Sequence, residues 1–160
     1  MYDESTMDKD NSGQSFVEIL LIIAIIIIIA GFGASAFRQY LIKNRLTGAA
    51  KEIVSDLRLM QQNTVTEQVV YGVEFTPPNT YFHIRYTEDP YNPGTLIKGQ
   101  VAQRFLPYGI TIDTIFGFTD NIAVFNAGAG VSESGTITLT DGNLTVTIEV
   151  RPSGFVDFRF

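Results

Sequence analysis

Few side chains in this sequence could do chemistry, and each candidate has a plain structural explanation beside it. His83 is the one histidine and there is no cysteine. Disulfides and thiolate metal sites are therefore excluded, and little remains from which to build a hydrolase or a zinc centre. His83 lies in an alternating segment and reads as a surface or packed strand residue. Asp141-Gly-Asn143 carries oxygen donors of the kind calcium takes, but the spacing of a helix–loop–helix calcium site is absent. Asp-Gly between two alternating segments instead reads as a hairpin turn. Gly128-Ala-Gly130 could cradle a phosphate only with a following Lys-Ser/Thr and a helix, and it has neither, so it reads as a loop. Asn143-Leu-Thr145 matches a glycosylation acceptor by accident of strand threonines. With no paired catalytic groups, an enzyme is not expected, nor is a metal or cofactor. The one carboxylate in an unusual setting is Glu18, which adjoins a long uncharged run.

That run defines the first element. Residues 19–37, from Ile19 to Phe37, carry no charge at all. As a helix rising ~1.5 Å per residue, 19 residues span ~28 Å, close to the ~30 Å of a bilayer's hydrocarbon core. A strand is the alternative, but strands rarely exceed ~10 residues. The run is also longer than the ~7–15 residues of a secretory signal's apolar region, and no small-x-small cleavage site is followed by a mature start. Beyond Arg38 the apolar residues become periodic: Ile42, Leu46, Ala50, Ile53, Leu57 and Met60, broadened by Ala49 and Val54. Steps of three and four keep them on one helix face. Arg45, Lys51, Glu52, Asp56 and Arg58 take the remaining surface. Ser15-Phe-Val-Glu18 fits a capping box, with Ser15 as N-cap and Glu18 at N3. The expected helix thus runs from Ser15 to about Val65.

From Val69 onward the period changes to two. Val69, Tyr71, Val73 and Phe75 alternate with Val70, Gly72 and Glu74, and Pro77-Pro-Asn79 ends that strand. Phe82, Ile84 and Tyr86 are expected to share the apolar face of the next strand, with His83 and Arg85 opposite. Thr136 to Val150 forms the clearest hairpin. With a two-residue type I′ loop at Asp141-Gly142, Leu139 pairs Leu144 and Ile137 pairs Val146. Pro152-Ser-Gly154 turns the chain into a last strand, Phe155 to Phe160. Two small antiparallel sheets packed on the helix are expected. Between Glu67 and Phe160 ten acidic side chains face five basic ones, about −5 in net charge. Nucleic acid, whose binding begins with neutralised phosphates, is therefore not an expected partner.

The segment Gly13-Gln-Ser-Phe-Val-Glu18, opening onto the apolar run, resembles the class III signal of type IV prepilins and type II secretion pseudopilins. The resemblance implies cleavage by a prepilin peptidase between Gly13 and Gln14. It also implies N-methylation of Gln14 and a role for Glu18 as the assembly contact with a neighbouring subunit's N-terminus. Further along, the helix end Leu57-Arg-Leu-Met-Gln-Gln-Asn-Thr-Val-Thr-Glu67, the Arg104-Phe-Leu-Pro-Tyr-Gly-Ile110 segment and the pair Val124-Phe-Asn-Ala-Gly128 and Ser134-Gly-Thr-Ile-Thr-Leu139 look like segments of the GspH/FimT-like minor subunits.

The expected fold class is α+β, with a long N-terminal membrane-spanning helical stalk and a mainly antiparallel β head. Four parts are expected: a leader over 1–13, a transmembrane half-helix over 14–37, an amphipathic half-helix over 38–66 and a head over 67–160. The implied partners are other pilin or pseudopilin subunits, the prepilin peptidase, an inner-membrane assembly platform and membrane lipid. The implied location is the cytoplasmic membrane, head outside, and then a pilus or pseudopilus. Arg38, Lys43 and Arg45 would favour the opposite orientation by charge bias alone; the cleavage motif and extended helix are given precedence. Two alternatives stay open: a DNA-uptake minor pilin and a membrane-anchored binding module with no filament role. The first is disfavoured because Gly154 is followed by Phe155-Val-Asp157 rather than by a basic residue.

Overall fold

A computed structural model describes the backbone over residues 12–160, and within it the side chains of all but residues 12–15, 30 and 32–36. Residues 1–11 of the expected leader lie outside the described residues. The first element, α1, is a helix over Ser12–Glu67. Its start corrects the capping expectation: Ser15 lies inside the helix, and no carboxylate falls in the first turn. Gly13 does not prevent this, since a helical glycine costs only ~1 kcal/mol.

The chain divides into two compact units, the first ending at Leu41 and the second running Ile42–Phe160. In the first, the large apolar side chains from Phe16 to Ile29 are all exposed. Among the described residues no helix is long and apolar enough to cross a membrane. The expected span over 14–37 includes residues 14, 15, 30 and 32–36, whose side chains lie outside the described set.

In the second unit the remainder of α1 joins eight strands. These are β1 (Tyr71–Thr76), β2 (Thr80–Asp89), β3 (Asn92–Phe105), β4 (Thr111–Phe116), β5 (Ile122–Phe125), β6 (Gly135–Thr140), β7 (Thr145–Val150) and β8 (Val156–Arg159), with a short 3-10 turn at Thr119–Asn121 before β5. They form two four-stranded sheets, ordered β3-β2-β1-β5 and β4-β6-β7-β8, with every pairing antiparallel. The helical stripe Leu46, Ala49, Ala50, Ile53, Val54, Leu57 and Met60 is buried in one core. Val73, Phe75 and Tyr81 from the first sheet and Ile137, Leu139, Val146 and Ile148 from the second complete it. This is how the sequence pattern becomes a fold: a face of period ~3.6 meets two faces of period 2, and each covers the others.

Two expected strand details are corrected. In β2 the side chains turned to the core are Tyr81 and His83, both buried, whereas Phe82 and Tyr86 are half-buried. The pairing fixes this: Tyr81 stands opposite Phe75 and His83 opposite Val73, both core residues. Ile84 is buried too, next to a register shift between His83 and Ile84, so alternation alone could not assign the faces. In the β6–β7 hairpin Leu139 pairs Val146 and Ile137 pairs Ile148, two residues along from the expected register. The loop holds four residues because Asp141 organises it. Its Oδ1 accepts the backbone N–H of Asn143 at 3.1 Å and of Leu144 at 2.7 Å. Thr140 Oγ1 accepts the N–H of Gly142 and donates to the Leu144 carbonyl, both at 3.0 Å. A shift of two preserves side-chain parity, so the buried face was still assigned correctly.

Candidate functional site

Two places merit consideration. The first is the start of α1. Gly13 and Gln14 lie in the helix backbone, with their surroundings outside the described side chains, and Glu18 is exposed. Around Glu18 the large apolar residues from Phe16 to Ile29 are between 46% and 66% exposed. Among the described residues from Ile19 to Ile29 no side chain is polar and none is buried. A helical stretch that is apolar all round is of the kind found buried, in a protein core or in a membrane. Glu18 is the single described carboxylate in this stretch, and as the seventh residue of α1 it lies past the first turn, where the helix dipole acts. The arrangement can hold an apolar rod in an apolar phase and present one acid to a cationic partner.

The second place is a polar cluster inside the second unit. Asp56 projects from the buried side of α1, three residues after Ile53. Its Oδ2 accepts the Tyr81 hydroxyl of β2 at 2.8 Å. His83 Nε2 lies 3.1 Å away, within ion-pair range but off the line a hydrogen bond needs. Arg104 Nε of β3 is 4.0 Å away and half exposed. Burial pushes the Asp56 carboxyl up, but the imidazole of His83 beside it, the hydrogen bond from the Tyr81 hydroxyl and the Arg104 charge outweigh it, so its pKa is lowered. Burial, then the Asp56 carboxylate, pushes the Tyr81 phenol well above its usual range. Asp56 is 13% and His83 4% exposed at the side chain. The cluster ties helix to sheet. Sequence reasoning left His83 as a surface or packed strand residue, on the face opposite Phe82, Ile84 and Tyr86, and missed Asp56; the signal was its position on the helix beside Ile53, Leu57 and Met60.

The other candidates resolve into local structure. Asp141 and Asn143 belong to the hairpin turn described above. Gly128 and Gly130 flank Ala129, whose φ is 64° and whose carbonyl accepts Gln61 Nε2 of α1, so that loop is pinned to the helix. Among the described residues no group of three His, Cys, Asp or Glu could hold a metal.

No family model and no curated protein matches the sequence. Solved structures do match. The minor pseudopilin EpsH from the Type 2 Secretion System of Vibrio cholerae aligns at TM-score 0.56 and 13% identity, over 72% of this chain and 96% of that one. The type IV minor pilin FimU of Pseudomonas aeruginosa aligns at TM-score 0.55 and 10% identity, over 73% of this chain and 90% of that one. At such identities the likeness concerns the fold. That fold is an N-terminal helix packed on antiparallel sheets, shared with pilins and pseudopilins. Within that class the similar proteins are minor subunits, and neither is described as an enzyme.

Proposed function

We propose that this chain is a structural minor pilin or pseudopilin subunit that assembles into a type IV pilus or a type II secretion pseudopilus. The observation that carries this reading is a pairing: a pilin-like head joined in one chain to a helix exposing apolar residues on every side around Glu18. Residues 1–13 act as the leader, and a prepilin peptidase cuts between Gly13 and Gln14. Gln14 then supplies a free, N-methylated amine. Residues 14–37 hold the subunit in the cytoplasmic membrane before assembly, residues 38–66 form the spine, and residues 67–160 form an extracytoplasmic head. An assembly platform in that membrane lifts the subunit into the filament, where apolar helices of neighbouring subunits replace lipid.

Glu18 gives the transfer its selectivity. A carboxylate in an apolar phase is costly, ~2.5–3.5 kcal/mol at mid-membrane and less towards the edge. The amine of Gln14 on an adjacent subunit, cationic at neutral pH, offsets that cost once the two meet. Intact-mass measurement of membrane-extracted protein, from cells with an active prepilin peptidase, tests the processing step. The expected chain starts at Gln14; a retained Met1 would leave a membrane-anchored binding module as the better reading. Glu18→Ala should leave processed protein in the membrane and strongly reduce its incorporation into sheared filaments. Unchanged incorporation would remove Glu18 from the assembly mechanism.

A further inference from the structure

One end of the second unit gathers side chains that are costly to leave in water. Tyr108, in the turn between β3 and β4, is 97% exposed, and Phe160, after β8, is 57% exposed. Leu144 of the β6–β7 loop is exposed at 38%. All three belong to the end at which the chain enters the unit. Tyr108 lines a crevice of about 200 Å³ with Ile42, Arg45 and Asp141. The Lys43 ammonium lies 5.0 Å from the centre of the Phe160 ring. Leu144 is held to Asp141 by the loop hydrogen bonds. Lys43 and Arg45 are exposed, whereas the Asp141 carboxylate is occupied by backbone N–H groups.

Aromatic tips interleaved with cations suit one environment above others, the polar–apolar boundary of a lipid bilayer. The exposed Lys43 and Arg45 side chains also contrast with the side chains of the head, which carry about −5 between Glu67 and Phe160. Connectivity supplies the reach. Four residues stand between Phe37, the end of the uncharged run, and Ile42, so over five steps of ~3.3–3.6 Å Ile42 stays within about 18 Å of Phe37 in any conformation.

We propose that this base of the head docks on an anionic lipid surface before assembly. Tyr108, Phe160 and Leu144 enter the headgroup layer, and Lys43 and Arg45 contact lipid phosphates. The proposal rests on the reading of residues 14–37 as membrane-embedded. In the docked state the head is held at the bilayer, so extraction into a filament must break the headgroup contacts as well as withdraw the helix.

The chain contains no tryptophan, so single tryptophans report position without background. Full-length Y108W, F160W, Y91W and I25W would each be reconstituted in bilayers of phosphatidylglycerol and phosphatidylcholine. The lipids carry a nitroxide quencher either near the headgroup or near the acyl-chain end. Tyr91 is 90% exposed and stands at the far end of β3, whose 14 residues extend ~46 Å; it is the in-unit control. Headgroup-level quenching should be several-fold stronger for Y108W and F160W than for Y91W. It should weaken when Lys43 and Arg45 are changed to Gln, and in phosphatidylcholine alone. Equal quenching at positions 108 and 91 overturns the proposal, and insensitivity to lipid charge overturns its anionic preference. A Y108W emission that ignores the quencher but shifts to the blue as protein density rises would name another subunit as the occupant and equally overturn it. I25W separates the two readings. If the deep quencher does not reach it, the membrane span itself fails; if it does while Y108W stays unquenched, only the docking fails.

Discussion

Ile25 and Ile53 are the same residue in the same helix, yet Ile25 is 48% exposed and Ile53 is fully buried. The difference is in the pattern around them. Near Ile53 the apolar residues recur every three or four positions with Asp56 and Arg58 between, so one face is offered and two sheets of the same chain cover it. Near Ile25 every position is apolar from Ile19 onward, and no single intramolecular surface could cover all sides. Periodicity, more than apolar content, tells whether the partner lies within the chain or outside it. The largest expected effect tests this directly. Ile53→Ala should destabilise the head by about 2–5 kcal/mol, as large-to-small changes in a packed core do. Ile25→Ala should leave head unfolding within about 0.5 kcal/mol, as away from packed sites. Denaturant melts of the full chain in detergent, followed by the near-ultraviolet signal of the head tyrosines, measure both. Equal losses at the two positions would mean that the two stretches of α1 are not energetically distinct.

The polar side of the same comparison is Asp56 against Glu18. Asp56 is enclosed by Tyr81, His83 and Arg104 of its own unit; Glu18 is exposed and is proposed to find its partner on another chain. Asp56→Ala should therefore cost head stability about 1–3 kcal/mol, the range for leaving buried hydrogen-bonding groups unsatisfied. Glu18→Ala should cost the head nothing measurable and act on assembly alone. A head destabilised by Glu18→Ala would erase the distinction.

A smaller effect follows from the lowered pKa of Asp56. A carboxyl depressed in the folded state contributes stability that is fully present above its unfolded value, ~3.9. That contribution is lost as pH falls through the lower folded value. The melting temperature should fall on the acid side, and Asp56→Asn should flatten the part of that fall due to this group. An acid arm of the same steepness in Asp56→Asn would assign it to other carboxylates.

The helix, its switch from uniform to periodic apolarity and the two-sheet head were legible because each rests on a period repeated over many residues. What was illegible had no period or depended on a long-range partner. β3 is exposed along nearly its whole length, and Lys98-Gly-Gln100 breaks its alternation, so no apolar face marked it. The inward face of β2 could not be read because apolar residues stand on both sides of it. Tyr81 and His83 are inward because Val73 and Phe75 of β1 stand beside them and Asp56 of α1 satisfies the Tyr81 hydroxyl. Asp56 itself was assigned to the solvent side, since a charge on a helix defaults to water until a buried partner is known. The start of α1 at Ser12 rather than Ser15 shows that a capping pattern stops a helix only when the residues before it cannot continue one.

The β6–β7 hairpin yields the smallest expected effect and the finest test. The two-residue loop read from Asp141-Gly142 would pair Leu144 with Leu139, a fully buried residue, and would give Leu144 a core position. The observed register pairs Val146 with Leu139 and leaves Leu144 38% exposed at the end of a loop organised by Asp141. Both registers present the same face of β7, so burial of the other residues cannot distinguish them. Leu144→Ala can. Under the two-residue loop it would resemble a core truncation of about 2–5 kcal/mol; under the observed register it should cost about 0.5 kcal/mol or less, as at a half-open surface position. Val146→Ala serves as the companion, since it should cost about 1.5–3 kcal/mol through lost burial of the residue that does face Leu139. Both would be measured by denaturant melts in lipid-free detergent, away from any contact of Leu144 with a bilayer. A Leu144→Ala loss matching that of Val146→Ala would restore the shorter loop.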